Sequence, residues 1–306
     1  MENRSLVRLK TVSEFHRSRN LPQPEHPLIS VIDFGKIPRS AAINGKSWVF
    51  DFFQISLKKG LDFKMKYGQQ EYDFDEGVMS FIAPNQVFSI EQRLHSTQSR
   101  SGWILLIHPD FLWNTPLAKA IKRYEYFDYA INEALFLSER EEAILNGIID
   151  NIRQEYHGHI DTFSKQIIVS QIETLLAYSE RFYNRQFITR EKSNHQLLNR
   201  LEEILNHYFD NGELISKGLP SVQDVAEQLH VSQKYLSTLL KVLTGQSTQQ
   251  HIHNKLIEKA KELLSTTNLS ISEIAYELGF EHSQSFSKLF KSKTNLSPLG
   301  FRQSFN

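Results

Sequence analysis

Ser221-VQDVAEQLHVSQKYLSTLLKVLTGQS-Thr248 and Ser270-ISEIAYELGFEHSQSFSKLFKSKTNLS-Pro298 say nearly the same thing twice. Val225-Ala226 lies over Ile274-Ala275, Leu229 over Leu278, Val231 over Phe280, and Leu240-Lys241 over Phe290-Lys291. Both copies close on a small residue and a serine, Gly245…Ser247 and Asn295…Ser297. This is internal duplication of one supersecondary unit at an offset of about fifty residues. In copy one, Ser221 caps a helix carrying Val222, Val225, Ala226 and Leu229, and Ser232 caps a second carrying Leu236, Leu239, Leu240 and Leu243. Copy two opens on a full capping box, Ser270-Ile-Ser-Glu273. Two short helices joined by so tight a turn form a helix-turn-helix, with Ala226 and Ala275 where the helices cross. Gly279 supplies the turn residue of copy two. Copy one has His230 there, and histidine tolerates positive φ better than most non-glycine residues.

Between the copies, Gln249 to Leu264 reads as a helix with Ile252, Leu256, Ile257, Ala260, Leu263 and Leu264 inward. At ~1.5 Å per residue it spans on the order of 25 Å. The second helices of the two units can then lie about one DNA turn, roughly 34 Å, apart. A single chain would read two successive major grooves. The outward positions are Gln233, Lys234, Ser237, Thr238 and Lys241 in copy one, and Ser283, Gln284, Ser287, Lys288 and Lys291 in copy two. Lysines there set position through phosphates, while Gln284 can pair with adenine and Lys288 with guanine. For one isolated motif a plain solvated helix face is the simpler reading; two copies at matched spacing favour DNA.

The rest of the chain bounds the answer. With 306 residues, 40% hydrophobic and 11% aromatic, two domains are expected. The net charge is zero, so any nucleic-acid surface must be local. There are no cysteines, which excludes disulfides and thiolate metal sites. The start has no apolar leader core and no eighteen-residue apolar run occurs, so a cytoplasmic protein is expected. Residues 1–27 are polar, contain Pro22, Pro24 and Pro27, and read as a loosely packed arm. LISVIDF, VFDFFQISL, LDFKMKY, VMSFIAP, VFSIE and WILLIHP then read as strands separated by turn signals, an antiparallel sandwich or barrel ending near Pro109. Ser138-Glu-Arg-Glu141 is a capping box opening a helix with Ile144, Leu145, Ile148, Ile149 and Ile152 on one face. A second helix from about Thr162 carries a stripe of Phe163, Ile167, Ile168, Ile172, Leu175, Leu176 and Phe182. That stripe is wider than one partner needs, so it packs on the barrel, forms a dimer seam, or both. Gln186 to Ser193 reads as a linker, and Asn211-Gly212 as a helix end.

At these residues a resemblance is visible. Residues 200–304 resemble the DNA-binding domain of the AraC/XylS family of bacterial transcription regulators. The resemblance is carried by VSQKYLSTLLKVLTGQS, by the connector, and by Ile274, Ala275, Gly279, Phe280, Phe286, Phe290, Lys291, Ser297, Pro298, Phe301 and Arg302. The chain departs from the family at Asn295, where glycine is usual, and at Leu240, where phenylalanine is favoured. The resemblance implies base-reading roles for Lys234, Ser237 and Thr238, and for Ser283, Gln284 and Lys288. It also implies an α+β chain: a cupin-like regulatory β-barrel with a helical dimerisation segment over 1–190, and an all-α DNA-binding domain over 191–306. The two helix-turn-helix units fall at about 221–245 and 270–295. RNA polymerase, a small-molecule effector and a homodimer partner are implied likewise, with activation commoner than repression.

Catalysis finds little support. Cupin enzymes hold a metal with several strand-borne histidines, whereas the strand region here offers only His95 and His108. His157-Gly-His159 follows a helix end, and His251 and His253 lie two apart on a helix, where side chains do not face each other. No metal, cofactor or catalytic residue is expected. The barrel interior is the candidate effector pocket, lined by alternating residues such as Phe50, Phe52, Gln54, Phe63, Met65 and Phe81, with a fully packed aromatic core as the competing reading. Two other functions stay open: a metal-dependent cupin enzyme fused to a helical domain, and a constitutive DNA-binding protein with a ligand-free barrel.

Overall fold

The computed structural model describes residues 5–38, 46–60, 65–67, 70–72, 77–89, 99–130, 133–157, 161–189, 191–210 and 213–304. Contacts divide the chain into an N-terminal unit ending at Gln186 and a C-terminal unit beginning at Phe187.

In the N-terminal unit the first strand, β1 (Ser5–Leu9), is followed by helix α1 (Val12–Ser18), then β2 (Ile29–Asp33), β3 (Lys46–Phe50), β4 (Phe53–Lys59), β5 (Met65–Tyr67), β6 (Gln70–Tyr72), β7 (Gly77–Ile82), β8 (Val87–Ser89) and β9 (Ser101–Ile107). After a short helix α2 (Leu117–Ala120) come β10 (Leu135–Leu137), α3 (Glu139–His157) and α4 (Ser164–Thr189). The strands form a three-stranded sheet in the order β1-β3-β8, a five-stranded sheet in the order β10-β7-β4-β9-β2, and the β5-β6 hairpin. Among the described residues these sheets do not close into one hydrogen-bonded barrel, which corrects the expectation of a cupin-like barrel.

Two further expectations change. Residues 5–18 are not a loose arm: β1 pairs in parallel with β3, and α1 buries Val12 and Phe15. Thr11 caps α1 by accepting from the Glu14 N–H. Of its polar residues Arg17 and Ser18 are exposed, whereas His16 is buried with its Nε2 3.0 Å from Ser30 Oγ. The run VFDFFQISL is not one strand either. It breaks at Asp51-Phe52, so that β3 joins the three-stranded sheet and β4 the five-stranded one. Asp51 is tied at this break, its N–H donating to Leu9 O and its carboxylate accepting from Arg8 Nε at 2.7 Å.

Register assigns the faces of β4. Gln54 lies opposite Ile82 and Leu106, Ser56 opposite Ser80 and Ile104, and Lys58 opposite Val78 and Gly102. Ile82, Ile104 and Leu106 share a core with Leu9, Phe15, Trp48, Phe50, Phe52 and Phe88, so this face looks toward the other sheet. The alternate residues point the other way. Ile55 lies opposite Phe81 and Leu57 opposite Met79, and Phe81 packs on the rings of Tyr126 and Tyr183 at centroid distances of 4.5 and 6.1 Å. The helices cover that second face: Trp103 Nε1 donates to Asn146 on α3, and Tyr126 OH to Leu176 O on α4. Along α4, Ile168, Ile172, Leu175, Leu176 and Phe182 are buried, whereas Phe163 just before it is 65% exposed and Ile167 43%.

The division between units falls inside α4, and the residues read as a linker are helical on either side of residue 190. Helix α5 (Glu191–Asp210) begins there, and the Asn194 side-chain amide donates to Phe187 O. Asn211-Gly212 lies outside the described residues. A short α6 (Glu213–Lys217) follows.

Candidate nucleic-acid interface

The duplicated stretch folds as two like pairs. In copy one, α7 (Val222–Leu229) and α8 (Gln233–Thr244) are separated by three residues; α9 (Thr248–Thr266) connects to α10 (Ile271–Glu277), α11 (Ser283–Thr294) and the closing α12 (Pro298–Gln303). Each first helix starts on a reciprocal cap. Ser270 accepts from the Glu273 N–H while Glu273 accepts from the Ser270 N–H at 2.7 Å. Copy one does the same with Asp224, which accepts from the Ser221 N–H at 2.8 Å and from its hydroxyl at 2.7 Å. These bonds stabilise the ionised forms and hold both carboxyls below their ordinary pKa values. The same box at Ser247 and Gln250 begins α9.

The two turns match bond for bond. The Val231 N–H donates to Ala226 O at 3.0 Å, and the Phe280 N–H to Ala275 O at 2.9 Å. His230 takes φ 58° and Gly279 φ 78°, both left-handed. They differ in surroundings. A Cβ on Gly279 would stand 2.7 Å from Leu214 O and 3.1 Å from the Gly218 Cα, so α6 closes over that turn. His230 is exposed. Glycine is therefore required in copy two by crowding as well as by backbone angle, and copy one is free of the first constraint.

Both pairs are fastened from behind. Ala226 and Ala275 are buried where their helices cross. Tyr235, Leu236, Leu239 and Leu240 form the inner face of α8, with Tyr235 edge-on to Phe187 at 5.2 Å. Phe286 and Phe290 are the inner face of α11, and Phe301 of α12 meets Phe290 at 5.5 Å. On the connector Ile252, Leu256, Ile257, Ala260 and Leu264 are buried and Leu263 is half-buried. Nineteen residues of α9 give it a length of about 28 Å.

The opposite faces carry the chemistry. Gln233, Lys234 and Lys241 on α8, and Gln284, Lys288 and Lys291 on α11, are exposed; Ser237, Thr238, Ser283 and Ser287 are half-buried. Two of the small side chains are occupied: Ser237 Oγ lies 3.3 Å from buried Thr248 Oγ1, and the Thr238 hydroxyl donates to Lys234 O at 3.0 Å. Neither α8 nor α11 contains a single Asp or Glu, whereas α7 carries Asp224 and Glu227 and α10 carries Glu273 and Glu277. On α9 the lysines meet acids on their own helix, Lys255 with Glu258 at 3.6 Å and Lys259 with Glu262 at 3.2 Å. The second helix of each pair thus carries lysines on a helix that has no acid of its own. Arg302 plays no part in it: its Nε donates to Leu264 O at 3.2 Å, tying α12 to the end of α9.

The other candidate residues fall elsewhere. Phe50 and Phe52 stack at 4.9 Å and both meet Phe15 edge-on, so they are part of a packed cluster. Gln54 shares that inner side, whereas Phe81 lies on the helix-covered side of the sheet. The structure does not bring these residues into one lining. Phe63 lies outside the described residues, as do His95, His159 and the side chain of Met65. His108 Nδ1 accepts from the Asp110 N–H, His157 contacts Glu25, and His251 Nε2 lies 2.9 Å from Thr244 Oγ1. Sequence reasoning missed Lys58, on the inner side of β4, and Arg19, which is 7% exposed over Trp48. Their signal was the alternation Phe53-Gln-Ile-Ser-Leu-Lys58, which puts Gln54, Ser56 and Lys58 on one face of β4.

A family model described as a helix-turn-helix domain matches residues 225–304. The HTH-type transcriptional regulator YfiF of Bacillus subtilis is 38% identical over 139 residues, 45% of this chain and 41% of that protein. The HTH-type transcriptional activator RhaS of Salmonella arizonae is 27% identical over 202 residues, 59% of this chain and 72% of that one. The solved C-terminal domain of AraT, a response regulator of Geobacillus stearothermophilus, is 32% identical, with 35% of this chain and 84% of that chain covered at a TM-score of 0.32. The match to YfiF spans less than half of that relative's length. Duplicated capped pairs, the residues of the second pair and the family match agree on the C-terminal part of the chain: residues 225–304 form a helix-turn-helix domain of the AraC type, the kind found in transcription regulators.

Proposed function

We propose that this protein is a sequence-specific DNA-binding transcription regulator that lays α8 and α11 into successive major grooves on one face of promoter DNA. The observation that carries the reading is the charge segregation: two acid-free second helices with exposed Lys234, Lys241, Lys288 and Lys291, each backed by a first helix that keeps the acids. Lysines at the helix flanks hold phosphates, and Gln284 and Lys288 read base edges. In copy one, Ser237 and Thr238 are engaged within the domain, so Gln233 and Lys234 are the longer arms toward bases. Copy two therefore carries at least as much discrimination as copy one.

The N-terminal unit is the regulatory unit in this reading: it senses a small-molecule effector in the cytoplasm, and the regulator activates by touching RNA polymerase. Phe163 and Ile167, four residues apart on one helical side and exposed, support a homodimer seam at the start of α4. A binding site selected from a random duplex pool, then measured by fluorescence anisotropy, tests the DNA reading. Each good base contact removed costs ~1–3 kcal/mol at its own position in the site. Affinity and sequence preference unchanged in the double variant Gln284→Ala with Lys288→Ala would refute the assigned reading head.

A further inference from the structure

The second helices of the two pairs, α8 and α11, are fastened at their first turns by different partners. In copy two the aromatic contacts lie inside the pair. Phe280 of the turn meets Phe286 of α11 at 5.6 Å, and Phe286 meets Phe290 at 5.8 Å. Copy one has Val231 and Leu236 at the places of Phe280 and Phe286, so it lacks that pair of rings. It carries Tyr235 instead, 2% exposed, where copy two has the exposed Ser285. The ring that Tyr235 meets comes from outside the pair. Phe187, on the last turn of α4 and the first residue of the C-terminal unit, is 1% exposed and stands edge-on to Tyr235 at 5.2 Å with 71° between the planes.

Tyr235 adjoins the side chains that reach outward. Gln233 and Lys234, both exposed, immediately precede it, and Ser232 caps the helix by accepting from the Tyr235 N–H at 3.2 Å. The backbone of this first turn is held by its cap and the ring by Phe187. Phe187 is held in turn, its carbonyl accepting from the side-chain amide of buried Asn194 on α5. The N-terminal residues of a groove-entering helix are the ones that meet base edges, so a small tilt at this turn displaces Gln233 and Lys234. Truncating Phe187 leaves a void beside Tyr235 that the first turn of α8 can shift into. At the start of α11 no ring from another part of the chain plays that role among the printed contacts of Phe286, which are to Phe280 and Phe290. Phe187 also lies before residues 225–304, which carry the helix-turn-helix match.

We propose that Phe187 is a positioning residue for the copy-one reading helix: it acts through Tyr235, and the last turn of α4 belongs to one reading head and not to the other. This rests on the reading of α8 and α11 as the DNA-reading helices and names a residue that sets the specificity of one of them. The consequence is unequal. Loss of the Phe187 ring loosens the register of Gln233 and Lys234 on their bases and leaves Gln284 and Lys288 as they were.

The test uses the full chain and fluorescence anisotropy on the selected duplex and on two further duplexes, each with one half of the site scrambled. Gln233→Ala with Lys234→Ala, and Gln284→Ala with Lys288→Ala, assign the halves, because each double variant is indifferent to scrambling of the half it no longer reads. For the wild-type chain, scrambling either half should weaken binding about tenfold or more. In Phe187→Ala the loss on scrambling the copy-one half should shrink by about threefold or more, while the loss on scrambling the copy-two half stays within about twofold of wild type. Phe187→Leu keeps most of the buried volume but not the ring edge on which Tyr235 rests. It should show the same bias, and it decides if circular dichroism melting shows that Phe187→Ala does not fold. An equal change at both halves in a folded variant, which a merely structural role would give, would overturn the proposal. Both losses unchanged in a folded Phe187→Leu and Phe187→Ala would overturn this assignment alone, and a wild-type chain that discriminates neither half would overturn it together with the DNA reading.

Discussion

Replacing Lys58 with methionine removes a charge and keeps an unbranched stem of similar length, so its effect on stability is mainly electrostatic. The Lys58 pKa falls from 10.5 to about 8, by burial first and then by Arg19 and Arg100. That difference of about 2.5 (10.5 − 8), at about 1.36 kcal/mol each, bounds the cost of the charged lysine at about 3 kcal/mol. The side chain as a whole is half-buried, so solvent screening brings the expected gain in Lys58→Met at pH 7 to about 1–2 kcal/mol. The sign with pH follows from proton counting. Between about 8 and 10.5 the unfolded chain keeps the Lys58 proton that the folded chain has released, so wild-type stability rises relative to the variant across that window. Below about 8 the variant's advantage is full, and above 10.5 it vanishes. All three tryptophans, Trp48, Trp103 and Trp113, lie in the N-terminal unit, so urea unfolding followed by tryptophan fluorescence at pH 7 and at pH 10 to 11 reads this unit alone. A destabilised variant at pH 7, or a difference that does not shrink with pH, would refute the picture of a repelled, partly desolvated cation.

Other outcomes can be checked in parallel. Gly279→Ala should lower C-terminal stability by about 2 kcal/mol or more, because a left-handed angle and the close Leu214 carbonyl both penalise a Cβ; His230→Gly, where the turn is open, should be neutral or slightly stabilising. Circular dichroism melts of both variants test the contrast. Ser270→Ala removes one side of a capping box and should cost about 1 kcal/mol in the same assay. Phe286→Ala, which empties a fully buried site, should cost about 3–5 kcal/mol and abolish specific DNA binding along with it. Phe163→Glu with Ile167→Glu should shift the protein toward monomer in sedimentation if the exposed start of α4 is the dimer seam.

The C-terminal unit was legible because its determinants are local. Caps at Ser221, Ser232 and Ser270, helical spacing of Leu236 with Leu240 and of Phe286 with Phe290, and a left-handed turn residue act within a few positions of one another. A repeated arrangement of such signals also reads twice. The crowding that makes Gly279 obligatory could not be read there, since it comes from Leu214 and Gly218, some sixty residues earlier in the chain. Nor could the engagement of Ser237 with Thr248 be read from helical spacing, which put its hydroxyl outward.

In the N-terminal unit the balance reverses. Strand-forming runs were visible, but their partners were not: pairing joins residues far apart, and nothing in VFDFFQISL marks the break at Asp51 that sends its halves to different sheets. The parallel pairing of β1 with β3 recruited a polar opening segment by contacts more than forty residues away. The faces of β4 were likewise a tertiary decision, since alternation separates Gln54, Ser56 and Lys58 from Ile55 and Leu57 but cannot say which set meets the second sheet. Local hydrogen bonding and helical period wrote the paired helix-turn-helix units into the chain itself; the burial of Arg19 over Trp48 and the half-burial of Lys58 near Phe34 arise only from long-range strand pairing and the packing of α1.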